Sequence, residues 1–129
     1  MDLRVWSERM LSVLRVVAAL MVVQYGFAKL FGFPHVAMFD NLQLVSLIGL
    51  SGVIELVGGA LLLVGVYTRI VAFIMSGEMA FAYFLAHAPK SFYPAVNGGN
   101  LAVLYCFVFL YLFFAGPGPW SVDHAMKRE

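Results

Sequence analysis

The sequence predicts an all-α membrane protein, a four-transmembrane-helix antiparallel bundle with both termini in the cytoplasm. Of its 129 residues, 63% are hydrophobic and only 12% are charged, whereas soluble domains carry about 25% charged residues. Four apolar stretches each approach the length of about 20 residues that crosses the hydrocarbon core of a bilayer. The cations are concentrated on one side of these stretches, which is typical of the cytoplasmic side.

The four predicted spans cover residues 9–30, 44–66, 69–87 and 100–115 of a single domain, 1–129. The first has no small-residue cleavage site after a short apolar core, which predicts a retained helix and not a removed signal peptide. The second and third are nearly continuous, and we place their break at Gly65 and the short turn before Arg69. Pro89 and Pro94 punctuate the last connection, where Asn97 is a candidate cap for the fourth helix.

The topology follows from the distribution of cations. An even number of spans places both termini and the turn at Arg69 on one side. That side holds six cations and the other only two, namely Arg4, Arg9, Arg15, Arg69, Lys127 and Arg128 against Lys29 and Lys90. This bias predicts a multi-pass membrane protein with cytoplasmic termini and the lipid bilayer as its partner. The net charge of +1 and the lack of a basic face argue against nucleic acid.

Four ionisable residues lie inside the otherwise apolar spans: Lys29 near the outer end of the first span, and three deeper residues, Arg15, Glu55 and Glu78. Such residues are rare at membrane depth and face a bundle interior, a partner or a wet cavity. The depths of the three deeper residues, counted from the ends of the predicted spans, place them in one buried cluster. One cation cannot neutralise two carboxylates, so we expect one glutamate to be readily protonated and the cluster to be catalytic. The alternative is a purely structural role that holds the helices in register.

A second candidate site lies at the outer mouth of the bundle, where Lys29 falls close in depth to His87, Asn97 and Asn100. A cation, an imidazole and two amides suit an anion or the carbonyl group of a quinone. The alternative is a lysine that extends to the interface and a solvated histidine. No metal site is predicted: His35 and His124 fall on opposite sides of the membrane, and the spacing of histidines and Cys106 matches no metal-ligand pattern.

Short motifs along nearly the whole chain resemble those of the DoxX family, small four-helix bacterial membrane proteins related to DoxD. In order, the motifs are Leu14-Arg15-Val16, Tyr25-Gly26-Phe27-Ala28-Lys29-Leu30-Phe31-Gly32, Ile54-Glu55-Leu56-Val57-Gly58-Gly59, Gly65-Val66-Tyr67-Thr68-Arg69, Asn97-Gly98-Gly99-Asn100 and Gly116-Pro117-Gly118-Pro119-Trp120-Ser121-Val122-Asp123. The chain has Asn100 where family members commonly have a glutamate, and Tyr25 where they often have a histidine. These departures weaken a mechanism that needs an acid or a metal ligand at the outer mouth.

The resemblance implies a redox setting, because DoxD-like proteins are associated with a thiosulfate:quinone oxidoreductase. We therefore expect an integral membrane subunit of a quinone-linked oxidoreductase for small sulfur or other reduced compounds, with Lys29 and neighbours including Tyr25 near the quinone. The chain has no flavin, haem or iron-sulfur motif, so electrons would come from a redox partner protein or directly from substrate. The alternatives are a non-catalytic membrane anchor or assembly subunit of a redox or stress-response complex, and a small proton-coupled transporter acting as a homo-oligomer.

Overall fold

The computed structural model describes residues 2–33 and 47–128, and every regular element within them is a helix. The helices are α1 (Leu3–Phe31), α2 (Leu47–Val64), α3 (Thr68–Ala82), the short α4 (Pro94–Asn97), α5 (Asn100–Ala115) and the short α6 (Val122–Ala125). The predicted all-helical class is therefore confirmed. His35 and residues 44–46 of the second predicted span lie outside the described residues.

Helix α1 begins six residues before the predicted span, at Leu3 rather than at residue 9. The carboxylate of Asp2 accepts a hydrogen bond of 3.0 Å from the backbone N–H of Arg4 and so caps the helix. The helix ends at Gly32, which has the left-handed φ of 71° common at helix C-termini. Charged residues interrupt the apolar pattern of this segment, namely Arg4, Glu8 and Arg9, and they conceal the extension in the sequence.

The third predicted span is not one regular helix. After Ala82 the chain continues as a π-helical turn, Tyr83–His87, and a 3₁₀ turn, Ala88–Lys90. Pro89 has no backbone N–H, and its ring would crowd the carbonyl group four residues before it in an α-helix. A change of helix type before the proline relieves that conflict.

The long helices pack as two antiparallel pairs, α1 with α2 and α3 with α5, and α2 joins the pairs by its contact with α3. Glycines permit the close approach of α1 and α2. A Cβ atom added to Gly26 would lie 2.8 Å from the backbone nitrogen of Leu56. Small residues at helix contacts are the usual means of close packing in membranes. The fully buried core includes Val22, Leu62 and Phe109.

Within the described residues, two helical stretches are long and apolar enough to cross a membrane by length and composition, Leu3–Phe31 and Thr68–Lys90. Helices α2 and α5 are shorter and also apolar. The outward faces of the long helices carry large apolar side chains, including Phe73, Leu104 and Phe107. Exposed apolar surface of this extent is typical of a protein in contact with lipid.

Candidate functional site in the interior of the bundle

Four polar side chains, one from each long helix, meet inside the bundle: Lys29 from α1, Glu55 from α2, Glu78 from α3 and Tyr105 from α5. We call these four residues the inner polar cluster. The ammonium Nζ of Lys29 lies 2.5 Å from Oε1 and 3.1 Å from Oε2 of Glu55. The same nitrogen donates a hydrogen bond of 2.9 Å to the hydroxyl group of Ser51. The side chains of Lys29 and Glu55 are only 12% and 4% exposed, so this is a buried ion pair.

The register of α1 against α2 explains why these two residues pair. Gly26 of α1 lies against Leu56 of α2, and Gly52 of α2 lies against Lys29 of α1. Along the bundle axis, Glu55 therefore lies between the levels of Gly26 and Lys29. Helical side chains lean toward the N-terminus of their own helix. Because α1 and α2 run in opposite directions, the side chains of Lys29 and Glu55 lean toward each other.

The other two members of the cluster leave polar atoms unsatisfied. The carboxyl group of Glu78 adjoins that of Glu55 and feels the charge of Lys29. Yet neither carboxyl oxygen of Glu78 forms a hydrogen bond of ordinary geometry with any part of the chain that the structure describes. The same is true of the buried hydroxyl group of Tyr105, which lies near Glu55 and Tyr25. Buried polar atoms almost always have partners, so these three atoms mark a place for a proton, a water molecule or a ligand.

Among the described residues, the charges of the cluster do not balance. One ammonium group faces two carboxyl groups, and all three groups are largely buried. Two adjacent carboxylates in a medium of low dielectric constant do not both stay ionised. A proton on one of them, or a cationic or hydrogen-bond-donating ligand, would remove the excess negative charge. The arrangement can therefore hold and release a proton.

Arg15, which we predicted to lie with the two glutamates, is placed elsewhere. Its guanidinium group donates hydrogen bonds to three backbone carbonyl groups, those of Leu62 at 2.8 Å, Trp120 at 2.7 Å and Pro117. It is 1% exposed and binds the last turn of α2 to the C-terminal segment, residues 116–128. A cation at this position also complements the negative end of the α2 dipole.

The predicted depth of Arg15 was wrong because α1 extends well beyond α2. In the observed register Glu55 is about level with Phe27, and Arg15 lies about 18 Å from that level along α1, at about 1.5 Å per residue. The predicted depths were counted from the ends of two spans, and those ends do not lie at the same level in the bundle. The side chain of Arg15 also leans toward the N-terminus of α1, away from the glutamates.

The C-terminal segment closes the end of the bundle that carries both termini. The carboxylate of Asp123 accepts hydrogen bonds from the backbone N–H groups of Tyr67 at 2.9 Å and Thr68 at 2.8 Å, and from the side chain of Arg128 at 3.0 Å. Burial opposes ionisation of Asp123, but these hydrogen bonds outweigh it and hold its pKa below the usual value. Asp123 thus caps α3 from a distant part of the chain. Arg69 donates to the carbonyl groups at the end of α5 in the same region.

The residues predicted at the outer mouth are divided between two places. Lys29 belongs to the inner polar cluster, and Tyr25 is half-buried beside it. Asn97 has its own partners: its amide donates to the hydroxyl group of Tyr83 at 3.2 Å and to the carbonyl group of Ser91 at 2.9 Å, and it accepts from the N–H of Gly99. These contacts order the connection before α5.

The remaining two residues of that prediction lie near Asn97. His87 contacts the backbone carbonyl group of Asn97 through Nδ1, at 3.1 Å, and Asn100 is exposed in the first turn of α5. The expected cap of α5 by Asn97 is not formed, because Gly99 occupies the cap position and the side chain of Asn97 bonds to its N–H. The structure therefore does not gather Lys29, His87, Asn97 and Asn100 at one site.

Sequence reasoning missed Tyr105, Ser51 and Asp123. Tyr105 lies within an apolar run where a tyrosine is easily taken for an interfacial or core residue. Ser51 carries no charge, and a serine in an apolar helix is also typical of close helix packing. Asp123 ends the motif that begins at Gly116, and that motif was the available signal. The glycines and prolines of this motif end α5, and the Ser-Val-Asp that follows them supplies Asp123, which caps α3.

These observations define a helical membrane protein with a buried, charge-unbalanced polar cluster and a C-terminal segment folded over one end. The DoxX family model matches residues 10–88. The chain also resembles an uncharacterized protein of Haemophilus influenzae (strain ATCC 51907 / DSM 11121 / KW20 / Rd), with 41% identity over 99% of this chain and 98% of the relative. No solved structure matches. The chain belongs to the DoxX family.

Proposed function

We propose that this protein is an integral membrane subunit of a quinone-linked oxidoreductase, in which the inner polar cluster binds the quinone head group and supplies protons to it. One observation carries the proposal. Each long helix contributes one polar group to the cluster, and three oxygen atoms, those of Glu78 and Tyr105, have no hydrogen-bond partner among the described residues. A ligand with two carbonyl groups, soluble in the membrane, fits such a site.

The roles of the residues follow from their chemistry. The hydroxyl group of Tyr105 would donate a hydrogen bond to one quinone carbonyl group. Glu78, next to Glu55 and without a fixed partner, would hold the proton that the cluster exchanges. Lys29 would keep Glu55 ionised, so that the mobile proton belongs to Glu78. Arg15, which we predicted to share this role, contacts only the C-terminal segment and α2 through its hydrogen bonds.

The electrons would come from elsewhere. Reduction of one quinone takes up two electrons and two protons, and the chain carries no redox motif of its own. A partner subunit that oxidises a small reduced sulfur compound would supply the two electrons. Glu78 would deliver the two protons one after the other and would take up a proton from water after each transfer. Homo-oligomerisation would place several such clusters in one complex.

For the membrane topology we propose four crossings, by α1, α2, α3 with its continuation to Lys90, and α5, in the inner membrane with both termini in the cytoplasm. The antiparallel packing of the helices supports it. So does the position of Arg15, Arg69 and Arg128 at the end of the bundle that carries the termini. Helix α5 has 16 residues, slightly fewer than the usual range, and local thinning of the bilayer accommodates a helix of this length.

The test compares wild type with Glu78→Gln and with the control variant Glu8→Gln, which removes an exposed carboxylate at the other end of α1. After purification in mild detergent, quinone bound per protein is measured by mass spectrometry, and quinone affinity by titration. We expect wild type and Glu8→Gln to retain quinone and Glu78→Gln to bind it at least about tenfold more weakly, a loss of about 1.4 kcal/mol.

A second readout follows the proton directly. Infrared difference spectra recorded on addition of quinone should show a shift in a protonated carboxyl band in wild type, and this band should be missing in Glu78→Gln. Wild type that binds no quinone would refute the proposal. In that case, retention of a partner protein would identify an anchor or assembly subunit, and uptake of a solute into vesicles without an electron acceptor would identify a transporter.

A further inference from the structure

An apolar groove of about 260 Å³ lies between α2 and α3 on the outer surface of the bundle. Val57 of α2 and Ile74 of α3 form its rims and are 55% and 53% exposed. Gly58, which has no side chain, and the buried Met75 form its floor. Every residue that lines the groove is apolar, so it is suited to a hydrocarbon chain.

One end of the groove leads to the inner polar cluster. Along α3, Val71, Ile74 and Met75 line the groove, and Glu78 is the next residue on the same face, at the helical spacing i, i+3, i+4 and i+7. The wall formed by α3 therefore changes from apolar to acidic within one turn.

The wall formed by α2 changes in the same way. Ile54 lines the groove, and Ser51, one turn earlier on that face, accepts the hydrogen bond from Lys29. Both walls thus run from apolar side chains at the end near the α2–α3 turn to polar groups at the level of Glu78. The groove and the cluster together have the form of a binding site for an amphipathic molecule.

The size of the groove limits what it holds. Pockets for whole small-molecule ligands measure about 300–1,000 Å³, so 260 Å³ fits only part of such a ligand. The missing part is polar, because Glu78 follows the lining residues Ile74 and Met75 on the same face of α3 and its carboxyl oxygens form no hydrogen bond of ordinary geometry among the described residues. Lipid acyl chains are as apolar as the groove itself, so hydrophobicity does not favour any one chain. Only a chain attached to a head group held at the cluster would be retained.

We propose that the groove holds the isoprenoid tail of a quinone whose head group lies at the inner polar cluster, with the tail directed toward the α2–α3 turn. This inference rests on the proposed function. It adds the route of entry, which is lateral from the lipid between α2 and α3, and it makes the tail a determinant of binding.

The experiment fills the groove with a large side chain and compares two ligands. Val57→Trp obstructs the groove from its exposed rim, and Val17→Trp is a matched control on the lipid-facing surface of α1, where Val17 is 48% exposed. Each purified variant is titrated with a benzoquinone that carries an isoprenoid tail and with the same benzoquinone without a tail. We expect Val57→Trp to weaken binding of the tailed quinone at least about tenfold and to leave binding of the tailless quinone unchanged. Val17→Trp should change neither.

The other outcomes separate this inference from the proposed function. If Val57→Trp binds both quinones as wild type does, the groove holds only bulk lipid and the inference is wrong, whereas the proposed function stands. If wild type binds neither quinone, both are wrong. A measurement on wild type alone adds a further check: a quinone with a photoreactive group in its tail should label peptides of α2 and α3. Labelling confined to α1 or α5 would overturn the inference.

Discussion

The buried ion pair of Lys29 and Glu55 gives the sharpest test of the site, through a double-mutant cycle. Removal of one partner of a buried ion pair costs about 3–5 kcal/mol, because it leaves a charge without compensation. Lys29 also donates to Ser51 and is 12% exposed, so the loss should lie at the lower end of this range. We expect Lys29→Met to destabilise the fold by about 3 kcal/mol and Glu55→Gln, which keeps a hydrogen-bond acceptor, by about 1.5 kcal/mol.

The double variant Lys29→Met/Glu55→Gln should be less stable than wild type by only about 2.5 kcal/mol, because it buries no uncompensated charge. The coupling energy is then about 2 kcal/mol, above the average of about 0.6 kcal/mol for neutral hydrogen bonds between membrane helices. Unfolding in mixed micelles, followed by circular dichroism, measures all four proteins.

The control cycle pairs Lys29→Met with Glu8→Gln, at opposite ends of α1, and should be additive within about 0.5 kcal/mol. Additivity of Lys29→Met and Glu55→Gln within the same limit would refute the ion pair, and with it the register that places the inner polar cluster.

Three further predictions concern the rest of the fold. Arg15→Met should destabilise the protein by about 3 kcal/mol, because three carbonyl groups lose a charged donor, and limited proteolysis should cleave the C-terminal segment faster as it detaches. Asp123→Asn should lower the free energy of unfolding by about 1–2 kcal/mol at pH 7. Because the pKa of Asp123 is lower in the folded state than in the unfolded state, its contribution to stability is present above about pH 3.9 and is lost as the pH falls through the folded pKa. The stabilities of wild type and variant should therefore converge in acid. Gly26→Ala should destabilise by about 1–3 kcal/mol through its clash with α2, whereas Gly77→Ala, where the added Cβ meets nothing, should stabilise by about 0.5–1 kcal/mol.

Each of these predictions has a distinct contrary result. Arg9→Met, which removes only a cation stacked 4.8 Å from the centre of the Trp6 ring, should have little effect, so an equal loss from Arg9→Met and Arg15→Met would contradict the role of Arg15. A constant stability gap between Asp123→Asn and wild type down to pH 2 would contradict the cap on α3. Equal melting temperatures for the two glycine variants would contradict the close contact of α1 with α2.

The helical class and the four long helices were predictable because apolar length is a local property of the sequence. The fourth predicted span, residues 100–115, coincides with α5. The break between the second and third spans falls at Gly65, as predicted, and this glycine has a positive φ of 77°. Boundaries set by polar caps or by a proline were missed, since neither changes the apolar pattern enough. The start of α1 at Leu3 and the π-helical turn before Pro89 are the examples.

The candidate site was predictable only in part. The sequence marked Glu55, Glu78 and Lys29 as unusual because each is an ionisable residue in or near an apolar span. It also indicated that they face inward, because ionisable residues at membrane depth face a bundle interior, a partner or a wet cavity. It did not indicate which cation pairs with which acid, because depth and facing direction fix neither the overhang of one helix past another nor the order of helices in the bundle.

By itself, the sequence determined that this chain is helical, that it is apolar enough for a membrane and that some of its ionisable residues lie within apolar helices. These properties depend on composition and periodicity within a few turns of a single helix. Only the tertiary structure decided that Lys29 and not Arg15 faces the glutamates, that Tyr105 joins them and that Asp123 caps α3. The physical reason is that these contacts depend on the register between antiparallel helices. That register is fixed where glycines let two backbones meet, at positions far apart in the chain.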